Sequence, residues 1–467
     1  MDAVSTFAEH VVASNFRDLP GDAVRAAKVF ILDTLGVGVA GSSGPLAAEL
    51  AALSLAWAAG DEARVWGTGT YRQAATAAMC NAYQAHNSEF DCVHEEAVVH
   101  AMSVVLPVAL AGAERAKNVS GTDLLAAVVL GVDVAAGLGV AASTGLRFFR
   151  PATAGAFGAT AALAKLMGFD RAAMVNALSI AYAQLCGTMQ AHREGSPLLA
   201  VQMGFNARNA VVACDLAAHG FEGPQDVLEG PFGYFKLFET EGAPPQVARE
   251  LGRRWFVTEL AHKPFPSGRA THGIIEACLT LRQEHRLAPE AIARVTAYVP
   301  PLVNQLVGRP PREDMHTNYA RLCASYVAAC ALRKGGVGLH DFTPEAYRDA
   351  VTQDLARRVR IEVRDLGDPN ALTPVEVEIA LSDGAVHGTK VETVYGNPAK
   401  PLGHADQLEK FRTNCAAAVH PLPPESVERL IERIDRLEEV ADVTELVDLL
   451  APPADETRAC VRSGNVR

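Results

Sequence analysis

Basic residues are scarce in this 467-residue chain, which has 42 lysines and arginines against 54 aspartates and glutamates. The formal charge of −12 argues against a protein that binds nucleic acid or an anionic membrane, but it is compatible with a local basic pocket for a small anion. Charged residues make up only 21% of the chain and hydrophobic residues 49%. This composition excludes a disordered protein and predicts a large core divided over two or three domains.

A secretory signal is also lacking, because Asp2, Glu9 and Asp18 interrupt the start of the chain, where an apolar segment would be needed. We therefore expect a cytoplasmic protein. The nine cysteines are an odd number without a C-x-x-C pair, and most lie in apolar surroundings. This pattern predicts reduced thiols in the core and disfavours a structural zinc site.

One apolar run, from Leu124 to Ala142, is nearly long enough to cross a bilayer. It contains Asp133, however, and it consists of alanine, valine and glycine more than of leucine and phenylalanine. We predict a buried helix in a helical core and no association with a membrane.

The apolar residues recur at helical spacing from Val4 to about Ala261, where strand signals are scarce. Alternating apolar and polar residues follow after about Ala288 and predict strands at 293–300, 359–364, 375–381 and 386–394, the last two joined as a hairpin. Further helices are predicted at 319–333, 344–358, 404–418, 424–437 and 442–450. The expected fold class is mainly α, with a small α/β layer inserted in a helical protein.

The first polar cluster, Glu89-Phe-Asp-Cys-Val-His94 followed by His100, places two carboxylates and two imidazoles within twelve residues. Such groups can transfer protons near neutral pH, because histidine titrates there and burial shifts the pKa of a carboxylate towards it. A solvated helix end that carries Glu95 and Glu96 would give the same pattern, so both interpretations stay open. Zinc or iron would also suit these side chains, but a strong ligand spacing such as H-E-x-x-H is missing, and we predict no metal.

Two further clusters interrupt apolar segments. From Arg147 to Gly158, small residues lead into a helix whose backbone N–H groups, beside Arg150, could hold an anion, although tight helix packing explains the same residues. In the third cluster, His192-Arg-Glu-Gly-Ser196, Arg193 could contact a substrate or pair with Glu194, since a charge at the edge of a buried stretch needs a partner.

The fourth cluster, His262-Lys-Pro-Phe-Pro-Ser-Gly-Arg-Ala-Thr-His272, is a proline-rich loop that opens a helix. Its prolines hold the side chains in fixed positions without a sheet, and Lys263 with Arg269 could clamp the carboxylates of a ligand.

In their order, these motifs resemble the MmgE/PrpD family, which includes 2-methylcitrate dehydratase, cis-aconitate decarboxylase and iminodisuccinate epimerase. The resemblance covers most of the chain. Five motifs carry it: Asp33-Thr-Leu-Gly-Val37, Asn81-Ala-Tyr-Gln-Ala-His86, Gly155-Ala-Phe-Gly158, Lys263 to His272, and Gly396-Asn-Pro-Ala-Lys-Pro401. Each motif alone is weak, but the five in this order are specific.

The chain departs from the family pattern at several polar positions. Cys92 and Val93 replace polar residues of an acidic D-F-D-D-T-H element, and Arg150 stands where relatives have a histidine. Leu199 and Gln202 replace a lysine and a histidine of the family. These changes favour a substrate that carries less charge than a citrate-like tricarboxylate.

The resemblance implies a large all-helical domain built from both chain ends, residues 1–265 plus 400–455, with an inserted α/β domain at 266–399. The remaining residues, 456–467, would form a flexible tail. It further implies a cofactor-free homodimer that acts on a small carboxylate. The family's reactions share the removal of a proton next to a carboxylate, and cations in a water-poor cleft would stabilise the resulting aci-carboxylate.

On this basis each candidate residue receives an expected role. Lys263 and Arg269 would bind carboxylates, His100 would donate or accept the proton, and Glu89 or Asp91 would orient it. Further substrate contacts are expected from the remaining candidates, Arg150, Arg193, His94 and His272.

The expected reaction is that of a lyase, of dehydratase or decarboxylase type, on a small polycarboxylate. An epimerase or isomerase of a small dicarboxylate would use the same proton abstraction, with groups on opposite faces of the substrate. A third alternative is a homologue that binds a carboxylate without turning it over. The sequence leaves the substrate and the choice among these reactions open.

Overall fold

The computed structural model describes residues 2–57, 59–364, 367–368 and 370–452. The protein is mainly α with a small sheet, as the sequence predicts. The predicted flexible tail at 456–467 lies outside the described residues. The eight cysteines within them are all free thiols, seven of them buried, and Cys460 lies outside.

Helices fill most of the first half of the chain: α1 Ala3–Ala13, α2 Gly21–Ala40, α3 Ala47–Trp57, α4 Ala74–His86, α5 Met102–Ala116, α6 Gly121–Ala141, α7 Arg150–Leu166, α8 Arg171–Tyr182, α9 Met189–Glu194, α10 Leu198–Ala218, α11 Tyr234–Leu237 and α12 Pro244–Ala248. The second half adds α13 His272–His285, α14 Pro301–Val307, α15 Thr317–Arg321, α16 Ala324–Lys334, α17 Pro344–Tyr347, α18 Ala350–Arg357, α19 His404–Ala416, α20 Pro424–Asp435 and α21 Thr444–Leu449. The strands are β1 Ala63–Arg64, β2 Tyr71–Arg72, β3 Val93–His94, β4 Leu260–Ala261, β5 Ile292–Val299, β6 Val359–Val363, β7 Val375–Leu381 and β8 Val386–Val391.

The helical core is built around α4, α5, α6, α7 and α10, which pack on one another. Small residues allow the close approach of α6 and α7, since a Cβ at Gly158 would lie only 2.3 Å from the carbonyl oxygen of Gly131. Alanine and glycine at this seam therefore let two backbones meet where larger side chains would separate them.

Helix α6 is long and apolar enough to cross a membrane by length and composition, but 94% of its apolar window is buried inside the protein. Its one acidic residue beyond the first turn, Asp133, accepts hydrogen bonds from the backbone N–H of Phe256, at 2.9 Å, and lies 3.0 Å from Nε2 of His10. The structure thus places the predicted apolar helix in the core, with its buried carboxylate paired.

Strands β5 to β8 form a four-stranded sheet in the order β6-β5-β7-β8. Strand β6 is parallel to β5 and the other neighbours are antiparallel, so the predicted hairpin of β7 and β8 is confirmed. Helices α13 and α16 pack against this sheet. The two helices predicted at 319–333 and 344–358 are each interrupted, and at the second break Asp349 starts α18 by accepting the backbone N–H of Thr352.

The last helices return to the first part of the chain, because α19 and α20 pack on α2 and α21 packs on α5. Lys410 in α19 lies 2.6 Å from Oδ1 of Asp33 in α2 and also donates to the carbonyl oxygen of Phe90. The exact domain limits at 265, 399 and 455 stay a prediction.

Candidate active site

A short antiparallel pair of strands brings two distant polar clusters together. In the pair β3–β4, Val93 lies opposite Ala261 and His94 opposite Leu260. Continuing this register by two residues puts Asp91 opposite Lys263. The pairing is therefore the reason why the acidic cluster and the proline-rich loop share one site.

The centre of the site is a buried ammonium between two carboxylates. Nζ of Lys263 lies 3.0 Å from Oε2 of Glu89 and 3.3 Å from Oδ1 of Asp91. Lys263 and Asp91 are fully buried, and Glu89 is 6% exposed. Glu89 also adopts the left-handed backbone region, with φ of 52°, a conformation that non-glycine residues rarely take and that is concentrated at functional sites.

Two histidines lie next to the second carboxylate oxygen of Asp91, Oδ2. Nδ1 of His86, the last residue of α4, lies 2.8 Å from Oδ2, and Nδ1 of His100, just before α5, lies 3.0 Å from it. The His86 contact is a hydrogen bond, whereas Nδ1 of His100 is out of line for one. Ser103 in the first turn of α5 donates its hydroxyl to the same oxygen, and the two imidazole rings have centroids 5.0 Å apart.

These charges hold the carboxylates ionised. Burial favours the neutral acid, but Lys263, His86 and His100 outweigh it and lower the pKa of Glu89 to about 2. The histidines and Lys263 likewise hold the pKa of Asp91 well below its ordinary value against the effect of burial. The ammonium is stabilised in return, since Glu89 and Asp91 overcome burial and raise the pKa of Lys263.

The two histidines are shifted in opposite directions. Burial would lower the pKa of His86, but the carboxylates of Asp91 and Glu89 outweigh it and raise this pKa. Burial lowers the pKa of His100, with Asp91 opposing and Lys263 adding to the effect. The environment therefore separates the two imidazoles, so that His86 holds a proton more readily than His100 does.

The network borders a cavity with a largely apolar wall. His86, Glu89, His100, His192 and Arg269 line it, together with apolar side chains that include Phe149, Met189, Leu306 and Leu372. An apolar wall lowers the local dielectric constant and strengthens the interaction of the lining charges with a bound anion. The side chain of His100 is 12% exposed against 1% for His86, so His100 is the more accessible imidazole.

The sequence predicts that Arg150 contacts the substrate, but in the structure Arg150 binds other parts of the protein. It is fully buried and forms a two-pronged ion pair with Glu239, with Nε and Nη2 at 2.9 and 2.8 Å from the carboxylate oxygens. The same guanidinium donates to the carbonyl oxygens of Ala97 and Thr144. These contacts use the N–H donors of Arg150 within the fold. The structure therefore gives no support to the expected contact of Arg150 with a substrate.

The other predicted cation of the loop, Arg269, does reach the cavity. It pairs with Glu95 and donates to the carbonyl oxygens of His262, Val394 and Tyr395, so it joins the loop to the segment after β8. Arg269 lies at the cavity wall, but its N–H groups are largely taken by Glu95 and the carbonyl oxygens. It can therefore act on a ligand mainly through its charge.

His94 and His272 are held by protein partners. Nε2 of His94 lies 3.2 Å from Oε2 of Glu259, and Nε2 of His272 lies 3.2 Å from the carbonyl oxygen of Ser267. Burial, with Arg269 and Lys263, holds the pKa of His272 well below its ordinary value. Both imidazoles therefore have local partners that explain their burial without a ligand.

The third cluster contributes a different residue from the one predicted. Arg193 is exposed, whereas its neighbour His192 is buried and borders the cavity. Burial, together with Arg309, lowers the pKa of His192 to about 4. Nη2 of Arg309 donates to the carbonyl oxygen of His192 and fixes this segment against the end of α14.

Sequence reasoning also missed His86 as a site residue. It stands in the motif Asn81 to His86, and the signal that could have identified it is a histidine that ends an otherwise apolar helix a few residues before an acidic cluster. An imidazolium is favourable at a helix C-terminus.

Three donor atoms of the site could hold a metal ion: those of His86, Asp91 and His100 lie within 4.8 Å of one another. Two imidazoles and a carboxylate suit zinc or iron. Lys263, however, already places a positive charge 3.3 Å from Asp91, and this charge opposes a dication at the same carboxylate. The expectation of a metal-free site stays a prediction.

The chain matches two models of one protein family. Residues 5–246 match the MmgE/PrpD N-terminal domain, and residues 265–438 match the MmgE/PrpD C-terminal domain.

Curated relatives are similar over almost their whole length. The chain is 28% identical to cis-aconitate decarboxylase of Mus musculus, covering 97% of this chain and 94% of the relative. It is 30% identical to the protein of the same name from Homo sapiens, with coverage of 92% and 91%, and 29% identical to that from Aspergillus terreus, with 93% of each chain covered. These names confirm the expectation of an enzyme of the lyase class. With both domain models matched in order, the chain belongs to the MmgE/PrpD family.

Proposed function

We propose that this chain is a cofactor-independent lyase that removes carbon dioxide from a small unsaturated polycarboxylate. The observation that carries the proposal is the buried contact series Lys263–Asp91–His100, which reaches the wall of an apolar cavity at His100. The relatives named cis-aconitate decarboxylase support decarboxylation over dehydration as the lyase reaction.

The reaction breaks the bond between a carboxylate and its carbon, and the carboxylate leaves as carbon dioxide. The electron pair spreads through the neighbouring double bond into a second carboxylate, and the carbon that gains electron density then takes up one proton. Negative charge therefore grows on the retained carboxylate. Lys263 and Arg269 stabilise this charge electrostatically, and one such fixed interaction contributes about 3–4 kcal/mol by analogy with an oxyanion-hole donor.

His100 is the group that delivers the proton. It is the most accessible imidazole of the network, and burial favours its neutral form by lowering its pKa. An anionic substrate beside it favours the imidazolium, so His100 takes up a proton when substrate binds and passes it to carbon. Asp91 lies 3.0 Å from Nδ1 of His100, and the two histidines together with Lys263 hold the pKa of Asp91 low.

An epimerase of a small dicarboxylate is the second candidate. It would use His100 on one face of the substrate and needs another proton-transfer group on the opposite face. His192 borders the same cavity and is kept neutral by burial, which lowers its pKa to about 4, so it can accept a proton. Leu199 and Gln202, which replace a lysine and a histidine of the family, favour a substrate with fewer charges than a tricarboxylate. A dicarboxylate epimerase therefore remains the alternative to be tested.

Incubation in heavy water with cis-aconitate and a panel of small di- and tricarboxylates distinguishes the candidates. The proposed lyase releases carbon dioxide and gives a product with one deuterium on carbon, as measured by NMR. An epimerase would exchange a proton with inversion and release no carbon dioxide, and a binding protein would show a thermal shift with neither change. Either of these two results rejects the decarboxylase.

A further inference from the structure

A second cavity lies behind the acidic segment of the candidate active site. The chain at Ser88-Glu89-Phe90 presents alternate side chains to two sides: Glu89 lines the candidate active site, whereas Ser88 and Phe90 line the other cavity. This second cavity has a volume of about 1120 Å³, which is large enough for a small-molecule ligand.

Arg321, at the end of α15, lines the second cavity and is 4% exposed. Its Nη1 donates to the carbonyl oxygen of Asn87 and its guanidinium stacks over Phe342, but its Nε is buried without a hydrogen-bond partner. Among the residues that the structure describes, no carboxylate lies within ion-pair distance of it. Burial lowers its pKa to about 10, so it still carries its charge at neutral pH.

The other buried arginines of the described chain are better satisfied. Arg150 and Arg269 each pair with a glutamate, and Arg72 donates to a hydroxyl and to two carbonyl oxygens. A buried guanidinium without such partners is costly, because the charge has lost its water without gaining an anion. Arg321 is therefore the buried cation for which an external anion would make the largest difference.

Ser88 provides a second unsatisfied group beside Arg321. Its hydroxyl is buried without a partner, and the peptide bond that precedes it carries the Asn87 carbonyl to which Arg321 donates. An anion that meets Nε of Arg321 can thus also accept the Ser88 hydroxyl, which would satisfy two orphaned groups together.

The remaining wall is mainly apolar and includes Phe90, Phe342, Leu339 and Leu402. Helix α19 contributes two carboxylates to the lining, Asp406 and Glu409, which repel an anion, and Lys410, whose charge is already paired with Asp33. A ligand is therefore directed with its anionic end to Arg321 and Ser88 and its apolar part along the rest of the wall.

We infer that this second cavity binds a monocarboxylate with an apolar body, its carboxylate held by Arg321 and Ser88. The site is separate from the proposed reaction site, since its polar contacts come from residues that do not border the cavity of His100. It takes a different ligand class as well, because Lys410, the other buried cation of the lining, already pairs with Asp33. Arg321 thus leaves one unpaired charge, which matches one carboxylate, beside a mainly apolar wall.

The test is isothermal titration of the full chain with octanoate. We expect octanoate to bind at least tenfold more tightly than 1-octanol, which lacks the charge, and than succinate, which lacks the apolar body. Ser88→Ala and Arg321→Gln should each weaken octanoate binding by tenfold or more. Ser88→Ala breaks no hydrogen bond in the fold. Ser143→Ala, at an exposed position outside this cavity, is the control that should bind normally.

Further measurements separate this site from the proposed active site. His100→Asn should retain octanoate binding even if it abolishes turnover, and saturating cis-aconitate should not displace octanoate. Normal binding in Ser88→Ala and Arg321→Gln, or loss of binding in His100→Asn, would overturn the inference. So would sedimentation data showing that self-association excludes octanoate, because a second copy would then occupy the cavity.

Discussion

The ammonium of Lys263 lies 3.0 Å from the carboxylate of Glu89, a residue 174 positions earlier in the chain, and both side chains are buried. A buried ion pair of this kind contributes little net stability compared with apolar side chains, but it is strongly destabilising to break. Together with Asp91, it fixes the ammonium that, in the proposed mechanism, stabilises the negative charge on the retained carboxylate.

Replacing Lys263 with methionine should lower kcat by about 10²–10³-fold, because a fixed positive charge is lost at the developing carbanion. The same change leaves Glu89 and Asp91 buried without their cation, so it should also lower the free energy of unfolding by about 3–5 kcal/mol. Steady-state kinetics and urea unfolding measure the two effects.

A double variant separates the two roles of Lys263. Adding Glu89→Gln to Lys263→Met removes one unpaired charge and should restore part of the stability without restoring kcat. Activity that recovers together with stability would show that Lys263 acts only through the fold.

Replacing His100 with asparagine should lower kcat by about 10²–10⁴-fold, the usual range for the loss of a proton-transfer group. Stability should change little, because the neutral ring of His100 has no well-directed hydrogen bond to lose. Deuterium incorporation into product, followed by NMR, should fall in parallel with kcat. A variant that keeps normal turnover would remove His100 from the proposed mechanism.

His262 should make the protein less stable in mild acid. Burial lowers its pKa to about 4, whereas an exposed histidine in the unfolded chain titrates near its ordinary value of about 6.5. The unfolded chain thus binds the proton first, and the stability present above pH 6.5 is lost as pH falls towards 4. His262→Gln should show a smaller loss between pH 6.5 and 4 in urea unfolding, and an unchanged pH dependence would contradict the assignment.

Arg150 should matter for stability more than for substrate affinity. Arg150→Met leaves Glu239 buried without its ion-pair partner and should cost about 3–5 kcal/mol of unfolding free energy. Glu239→Gln in the same chain should restore part of this loss. KM should stay within about twofold of the parent in the folded double variant, and a large rise in KM would return Arg150 to the substrate site.

A chelator should leave activity unchanged if the site works without a metal. Lys263 competes with a dication for Asp91, so dialysis against EDTA should have no effect, and elemental analysis should find less than stoichiometric zinc or iron. A metal that copurifies at one ion per chain, and whose removal abolishes turnover, would assign His86, Asp91 and His100 as its ligands.

The sequence predicted the secondary structure well wherever a pattern is local. Strand β7 has the predicted bounds Val375–Leu381, and β5 differs by one residue at each end. The single helix predicted at 319–333 is wrong, because the backbone is extended at Cys323, just before α16 begins. The apolar residues have helical spacing on both sides of Cys323, so the sequence pattern did not reveal the break.

The site was predictable in part for the same reason. Lys263, Glu89, Asp91 and His100 stand in polar clusters within apolar surroundings, which is a local signal. Two other features depend on packing between residues that are far apart in the chain. They are the ion pair of Arg150 with Glu239 and the burial of His192 next to exposed Arg193. The neighbouring residues in the sequence give no signal for either feature.

The contact of Lys410 with Phe90 has a consequence for biosynthesis. Its ammonium donates to the Phe90 carbonyl, across 320 residues, and also pairs with Asp33. During translation, Phe90, which lies between Glu89 and Asp91, can therefore gain this contact only after α19 has left the ribosome. A nascent chain halted before α19 would lack this contact with the segment that carries the proposed site.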